Sequence, residues 1–291
     1  MKVLITDNIN KCVKDIISET AEAVFLPTMS EEEIIKIIGE YDALMVRSQT
    51  KVNRNIIEAG KKLKIIGRAG VGVDNIDVNS ATEKGIIVVN SPDGNTIAAS
   101  EHTIALMLAI SRNIVPASQS TKEGKWNRDA FTGTELFGKT LGVMGFGRIG
   151  RKVVNIALSI GMKVIVYDPF ANEEMVNKKG ALYETSLDNF LKTLDYLSIH
   201  IPKTSDTINI INKENINKMK KGAIIINCSR GGLVNENDLK EALENGQISA
   251  AALDVYENEP KIETCPLINY NGNNIILTPH LGASTKEAQI N

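Results

Sequence analysis

The chain has 291 residues, with 33 Lys+Arg against 35 Asp+Glu, and 43% of it is hydrophobic. That length exceeds one ordinary domain and is enough to bury a sizeable core, so two domains are expected. The near-neutral charge excludes a global electrostatic draw toward nucleic acid or an anionic membrane, so an anionic ligand must be met by a local cluster of cations.

Short apolar runs alternate with amphipathic segments from the start. Lys2 to Asp7, Val24 to Leu26, Ala43 to Val46, Lys64 to Gly67 and Ile86 to Val89 read as strands. Between them lie helical patterns such as Ser30 to Ile38, where Ser30 and Glu33 have the spacing of a capping box. This alternation predicts a parallel sheet covered by helices. Ser91-Pro92-Asp93-Gly94-Asn95 is a run of turn residues and reads as a hinge. Thr96 to Val115 then reads as one long helix, with Ile97, Ile104, Leu108 and Val115 at helical spacing and Pro116 marking its end. Gly124 to Leu136, which holds the only Trp, Trp126, reads as an irregular arm.

A second alternating block starts at Lys139. Its strands are Thr140 to Met144, Lys163 to Tyr167, Tyr196 to His200, Ala223 to Asn227, Ile248 to Val255 and Asn274 to Leu277, with a helix at Arg148 to Ile160. Within it, Gly145-Phe146-Gly147-Arg148-Ile149-Gly150 fits G-x-G-x-x-G. The motif follows a strand and opens a helix, and the next strand ends at Asp168. In that context the glycines give a tight turn and close approach to a pyrophosphate, which the helix N-terminus favours. Asp168 lies at the distance that suits the adenosine ribose hydroxyls, and a carboxylate there repels a 2′-phosphate, so NAD is expected rather than NADP.

Hydride transfer on a 2-keto acid needs a cation for the carboxylate and carbonyl and a donor for the alkoxide proton. On the residues alone Arg230 and His280 each have two readings. Arg230, just past an apolar strand, suits bidentate binding of a carboxylate or is a surface turn residue. His280 borders the ligand edge of the sheet or is a satisfied loop histidine. Glu259 lies in an acidic turn, usually just solvated, and alone carries little weight. His102, inside the long helix, reads as packing, His200 slightly favours a structural role, and Cys228 reads as a small buried hydrophobe. The three cysteines, Cys12, Cys228 and Cys265, match no metal or disulfide framework. No metal is therefore expected, and a reduced, cytoplasmic compartment is. The N-terminus has no signal-peptide pattern and no apolar run is long enough to span a bilayer.

Several segments together resemble the D-isomer-specific 2-hydroxy acid dehydrogenases along nearly the whole chain. They are Val46-Arg47-Ser48, the stretch from Gly67 to Asp77, Gly133 to Leu136, the glycine loop, Cys228 to Gly232, Ala252 to Val255, and Pro279 to Thr285. Within that family the match is nearest to members acting on 3-phosphoglycerate. The resemblance implies two Rossmann-like α/β domains with parallel sheets. One is a flavodoxin-like substrate domain, residues 1–96 with the tail 285–291. The other is an NAD-binding Rossmann domain, residues 97–284, and a cleft joins the two. It implies Arg230 on the substrate carboxylate, His280 as general acid–base and Glu259 holding His280. NAD would contact Gly145, Gly147, Arg148, Ile149, Gly150, Asp168, Cys228, Ser229, Arg230, Asp254, His280, Gly282 and Ala283.

For the substrate, the resemblance adds Arg47, Ser48, Arg68 and Asn95, and the backbone amides of Ala69, Gly70 and Val71 for the carboxylate. It also adds Arg128 on the arm, reaching across a homodimer interface. The implied reaction oxidises 3-phosphoglycerate to 3-phosphohydroxypyruvate, the first step of serine synthesis. A hydroxypyruvate or glyoxylate reductase, or a D-lactate dehydrogenase, is the alternative. A nonenzymatic NAD-sensing corepressor is the alternative from another class. No membrane and no nucleic-acid partner is expected, and no regulatory ligand-binding domain with serine feedback. Ser284 and Glu287 have capping-box spacing and predict the start of a last helix.

Overall fold

The computed structural model describes residues 1–10, 12–27 and 29–290. The chain divides into two compact units, Met1–Asn95 with the residues from Ser284 onward, and Thr96–Ala283.

The first unit runs β1 (Lys2–Ile5), α1 (Cys12–Ser18), β2 (Glu22–Phe25), α2 (Glu31–Ile37), β3 (Ala43–Val46), α3 (Arg54–Ala59), β4 (Ile65–Arg68), α4 (Val78–Glu83) and β5 (Ile87–Asn90). All strand pairs are parallel and the order is β2-β1-β3-β4-β5, the flavodoxin-like arrangement. Register explains why the strands are apolar on both faces. Leu4 pairs with Leu44 and Leu44 with Ile66, and this row packs with Ile34, Ile38, Ile56 and Ile57. The row of Val3 and Ala43 faces the other side, toward Val13 and Ile17. A sheet covered on both faces has no reason to alternate polar residues. Each fully buried aliphatic contributes about 1.5–3 kcal/mol. The capping box of α2 forms as expected. Ser30 N–H donates to Glu33 Oε2 at 2.8 Å, and Ser30 Oγ accepts from Glu33 N–H at 3.3 Å.

The second unit runs α5 (Thr96–Ser111), α6 (Ile114–Lys122), β6 (Thr140–Met144), α7 (Arg148–Ser159), β7 (Lys163–Tyr167), α8 (Glu173–Asn177), β8 (Leu182–Tyr183), α9 (Leu187–Thr193), β9 (Tyr196–Ile199), α10 (Lys213–Lys218), β10 (Ala223–Asn227), α11 (Glu236–Glu244), β11 (Ile248–Leu253) and β12 (Ile275–Leu277). Its parallel sheet has the order β12-β11-β10-β9-β6-β7-β8, a doubly wound Rossmann order with a seventh strand. One face, including Leu141, Tyr196, Ile224 and Val164, packs on α5 and α7. The other, including Leu197, Ile225 and Ala251, packs on α9, α10 and α11.

Two expectations are corrected. The long helix is not continuous to Val115. It breaks after Ser111, whose carbonyl accepts from Thr134 N–H at 2.8 Å, and Asn113 adopts a left-handed φ of 52°. Asn tolerates that conformation better than most residues. Pro116 therefore ends nothing; it sits in the first turn of α6, where its missing N–H costs nothing. At the other end, residues 285–290 form turns rather than a helix. The capping side chain there is Thr285, whose Oγ1 accepts from Ala288 N–H at 3.1 Å, not Ser284. Residue 291, the last of the expected tail, lies outside the described residues.

Candidate active site

Because every strand of the second unit's sheet is parallel, the loops after β6, β7, β10, β11 and β12 leave from one edge. The glycine loop follows β6 between neighbours whose connections run to opposite sides, where open α/β sheets bind ligands. Gly145 has φ 100°, and a Cβ there would come within 2.5 Å of the His200 carbonyl oxygen. A Cβ on Gly150 would overlap the Gly145 carbonyl, whereas one on Gly147 would meet open space. Two glycines thus serve the fold, and the third leaves room for a ligand against the backbone. Gly147 caps the 12-residue α7 with no side-chain hydrogen bond, so the first N–H groups and the positive end of the helix are left for an anion. Arg148 and Ile149 open that helix.

Asp168 braces the loop. Its Oδ2 accepts from Phe146 N–H at 2.7 Å and its Oδ1 from Phe170 N–H at 2.9 Å. A carboxylate has about four acceptor positions, so lone pairs remain for ribose hydroxyls. The residues present fit a dinucleotide.

The loop after β10 is folded by its own polar groups. Asn227 Nδ2 donates to the Arg230 carbonyl at 2.9 Å, and Asn227 Oδ1 accepts from Ser229 N–H at 3.1 Å and Ser229 Oγ at 2.9 Å. The Arg230 guanidinium donates to the Ser229 carbonyl at 2.6 Å. A Cβ on Gly231 would overlap the Tyr256 carbonyl, so this loop packs backbone to backbone on the one that leads to Glu259. Buried Glu236 ties the same region, accepting from Glu257 N–H at 2.8 Å. Glu259 Oε1 accepts from Tyr256 N–H at 2.7 Å, and its Oε2 stands 2.6 Å from His280 Nδ1. The His280 ring is 46% exposed. With Nδ1 held by a carboxylate, Nε2 is the nitrogen left to exchange a proton with a ligand.

Asp254 is fully buried. Its Oδ1 accepts from Thr278 Oγ1 at 2.6 Å and Leu281 N–H at 2.8 Å, its Oδ2 from Gly282 N–H at 2.8 Å, and His102 Nε2 is 3.2 Å from Oδ1. Burial pushes this carboxyl up, but the bonds from His102, Thr278 and Leu281 outweigh it and hold the group below the usual carboxylate range. It therefore stays ionised and pins Leu281 and Gly282, next to Ala283, behind His280. Burial drives the Cys228 thiol up to about 12, which makes it an inert apolar neighbour rather than a nucleophile. Burial also lowers His200 to about 4, so that ring is neutral, hydrogen-bonded to Ser198 Oγ at 2.7 Å.

In the first unit, Arg47, Ser48 and Arg68 stand at the C-terminal edge of their sheet. Buried Asp7, after β1, organises the Arg47 loop by accepting from the N–H groups of Arg47 at 2.6 Å and Gln49 at 3.1 Å. Asn75 Nδ2 closes the loop onto the Arg47 carbonyl at 2.8 Å. The Arg68 guanidinium folds over Gly70, where a Cβ would overlap it. Ala69 N–H donates to the Val46 carbonyl at 2.8 Å and Gly70 N–H to the Arg68 carbonyl at 2.9 Å. Those two amides are already satisfied within the chain, which leaves the amide of Val71 for a carboxylate. Asn95 Oδ1 is buried with no hydrogen-bond partner among the described residues, a position that suits a ligand donor. Arg128 is exposed beside the short 3-10 turn Asp129–Phe131.

In the sequence His102 reads as packing, and Thr278, Tyr256 and Glu236 stand out for no role. No local signal marks the contact of His102 with Thr278, whose partners lie 176 residues apart. Among the described residues no helix is long and apolar enough to cross a membrane.

Residues 104–282 match the family described as D-isomer specific 2-hydroxyacid dehydrogenase, NAD binding domain. The chain is 52% identical over 290 residues to a protein of Synechocystis sp. named D-3-phosphoglycerate dehydrogenase, covering 100% of this chain and 52% of that protein. It is 48% identical over 261 residues to a hydroxypyruvate reductase of Thermotoga maritima, covering 90% of this chain and 84% of that one. The chain spans about half the length of the curated relatives named D-3-phosphoglycerate dehydrogenase that it matches. Among solved structures, D-lactate dehydrogenase from Aquifex aeolicus, complexed with NAD and lactic acid, superposes with a TM-score of 0.89 at 28% identity, covering 99% of this chain and 90% of that one.

Proposed function

The chain belongs to the D-isomer specific 2-hydroxyacid dehydrogenases, and we propose that it transfers hydride between 3-phosphoglycerate and NAD, giving 3-phosphohydroxypyruvate. The observation that carries the chemistry is the 2.6 Å contact between Glu259 and His280 Nδ1 at the same sheet edge as the glycine loop. Bound NAD supplies the hydride acceptor. Gly145 to Gly150 and the start of α7 would hold its pyrophosphate, and Asp168 its ribose. The Arg230 fork would bind the substrate carboxylate and draw electron density toward the 2-oxygen. His280 Nε2 takes the proton from the 2-hydroxyl in oxidation and returns it in reduction. Glu259 fixes the tautomer and the orientation of the ring that exchanges the proton.

The first unit serves as the substrate domain in this reading, with Arg47, Arg68 and Asn95 meeting the phosphorylated end and Val71 N–H assisting at the carboxylate. The enzyme would act in the cytoplasm, opening serine synthesis. A homodimer accounts for the exposed apolar side chains of Leu108, Ile114, Val115 and Trp126, and Arg128 would cross to the partner's site.

The relative from Thermotoga maritima supports a second reading, reduction of unphosphorylated hydroxypyruvate. Arg47→Ala and Arg68→Ala separate the two. Loss of a charge-assisted phosphate contact should raise KM for 3-phosphohydroxypyruvate about 10- to 100-fold per arginine, and KM for hydroxypyruvate by less than about 3-fold. Equal effects on both substrates would show that these arginines do not read a phosphate and would favour the second reading.

A further inference from the structure

His102 lies on α5, which packs on β11 and β12, and its side chain is 19% exposed. Its Nε2 stands 3.2 Å from Asp254 Oδ1 and 3.4 Å from Thr278 Oγ1. The carboxylate it meets also holds the backbone amides of Leu281 and Gly282, the two residues that follow His280. His280 has a left-handed φ of 55°, a conformation that a non-glycine residue keeps only where its surroundings impose it. A fully buried carboxylate needs its donors in place, because a lost partner leaves it to move or to take up a proton.

We propose that His102 is a positioning residue: through its contact with Asp254 it fixes the Leu281–Gly282 backbone and thereby the orientation of His280. Imidazole, carboxylate and two amides form one chain of contacts running from the middle of α5 to the acid–base residue. Thr278 closes it from the side by donating to the same oxygen. The effect of His102 on His280 passes through Asp254 and the backbone that Asp254 holds. For turnover, this role rests on His280 acting as proposed above; for the backbone it holds, it does not.

The test compares His102→Leu, which fills the volume without a donor, with His102→Gln, whose amide nitrogen can stand where Nε2 does. Amide hydrogen exchange is followed by mass spectrometry in peptides covering residues 278–283, beside kcat, KM and melting temperature. The Leu variant is expected to exchange at Leu281 and Gly282 about 10-fold faster or more, and to lose about 10- to 100-fold in kcat with a smaller change in KM. The Gln variant should stay within about 3-fold of wild type in both readings. Wild-type exchange in the Leu variant, or equal defects in the Leu and Gln variants, would overturn the proposal, since a packing role would favour Leu. If the Leu variant does not fold, His102→Asn takes its place, because its shorter amide falls short of Asp254 and should give the same fast exchange. A wild-type chain that turns over no D-2-hydroxy acid would overturn the enzymatic reading, while the exchange data would still decide the role of His102.

Discussion

His280→Ala is expected to lose about 10²- to 10⁴-fold in kcat, the usual contribution of a positioned general acid–base, while NADH affinity stays within about 3-fold. The expectation comes from how the ring is held. Glu259 is fixed by Tyr256 N–H at 2.7 Å and holds His280 Nδ1 at 2.6 Å, so the carboxylate selects which nitrogen works. The ring is no part of the glycine loop or the start of α7, which would hold the pyrophosphate in the proposed reading. Steady-state rates together with NADH fluorescence titration separate the two quantities. Turnover close to wild type would remove His280 from the chemistry. A parallel loss of NADH affinity would mean that the residue acts by holding the loop.

Arg230→Ala should lower kcat/KM by about 10³-fold or more, because one side chain is asked both to bind a carboxylate and to polarise the reacting carbonyl. Arg230→Lys should recover only part of that loss, since an ammonium cannot form two parallel bonds in one plane. The structure gives the loop little freedom to compensate. Asn227 holds its backbone at the Arg230 carbonyl, and Gly231 lies so close to Tyr256 that no side chain fits between them. The check is kcat/KM for both variants with a melting curve alongside. Full recovery in the Lys variant would show that a point charge suffices and that the fork geometry carries no weight.

Much of the fold could be read from the chain because its signals are local. Strands such as Ala43–Val46, Thr140–Met144, Lys163–Tyr167 and Ala223–Asn227 are continuous apolar runs bounded by turn residues, and the structure places them at those bounds. The capping box at Ser30 spans four residues, Ser30 to Glu33, and forms as the spacing predicts. Errors fell where distant contacts decide. The break after Ser111 depends on a bond to Thr134, and β8 is two residues long on a sheet edge, too short to show any period. The partners of the Ala69 and Gly70 amides, carbonyls of β3 and β4, likewise have no mark in the sequence.

The same division holds for the site. The glycine loop and Asp168 were legible as one strand–turn–helix unit followed by the next strand end. The pairing of Glu259 with His280, 21 residues apart, was suggested by family resemblance rather than spacing. The contact between His102 and Asp254 had neither source, since periodicity on α5 speaks only for burial.

The substrate is decided by the rate of NADH oxidation by the wild-type chain with 3-phosphohydroxypyruvate, set beside hydroxypyruvate and glyoxylate in the same buffer. A preference in kcat/KM of about 100-fold or more for the phosphorylated substrate is expected, the size of one or two charge-assisted contacts. Equal or faster turnover of hydroxypyruvate or glyoxylate would contradict the substrate assignment.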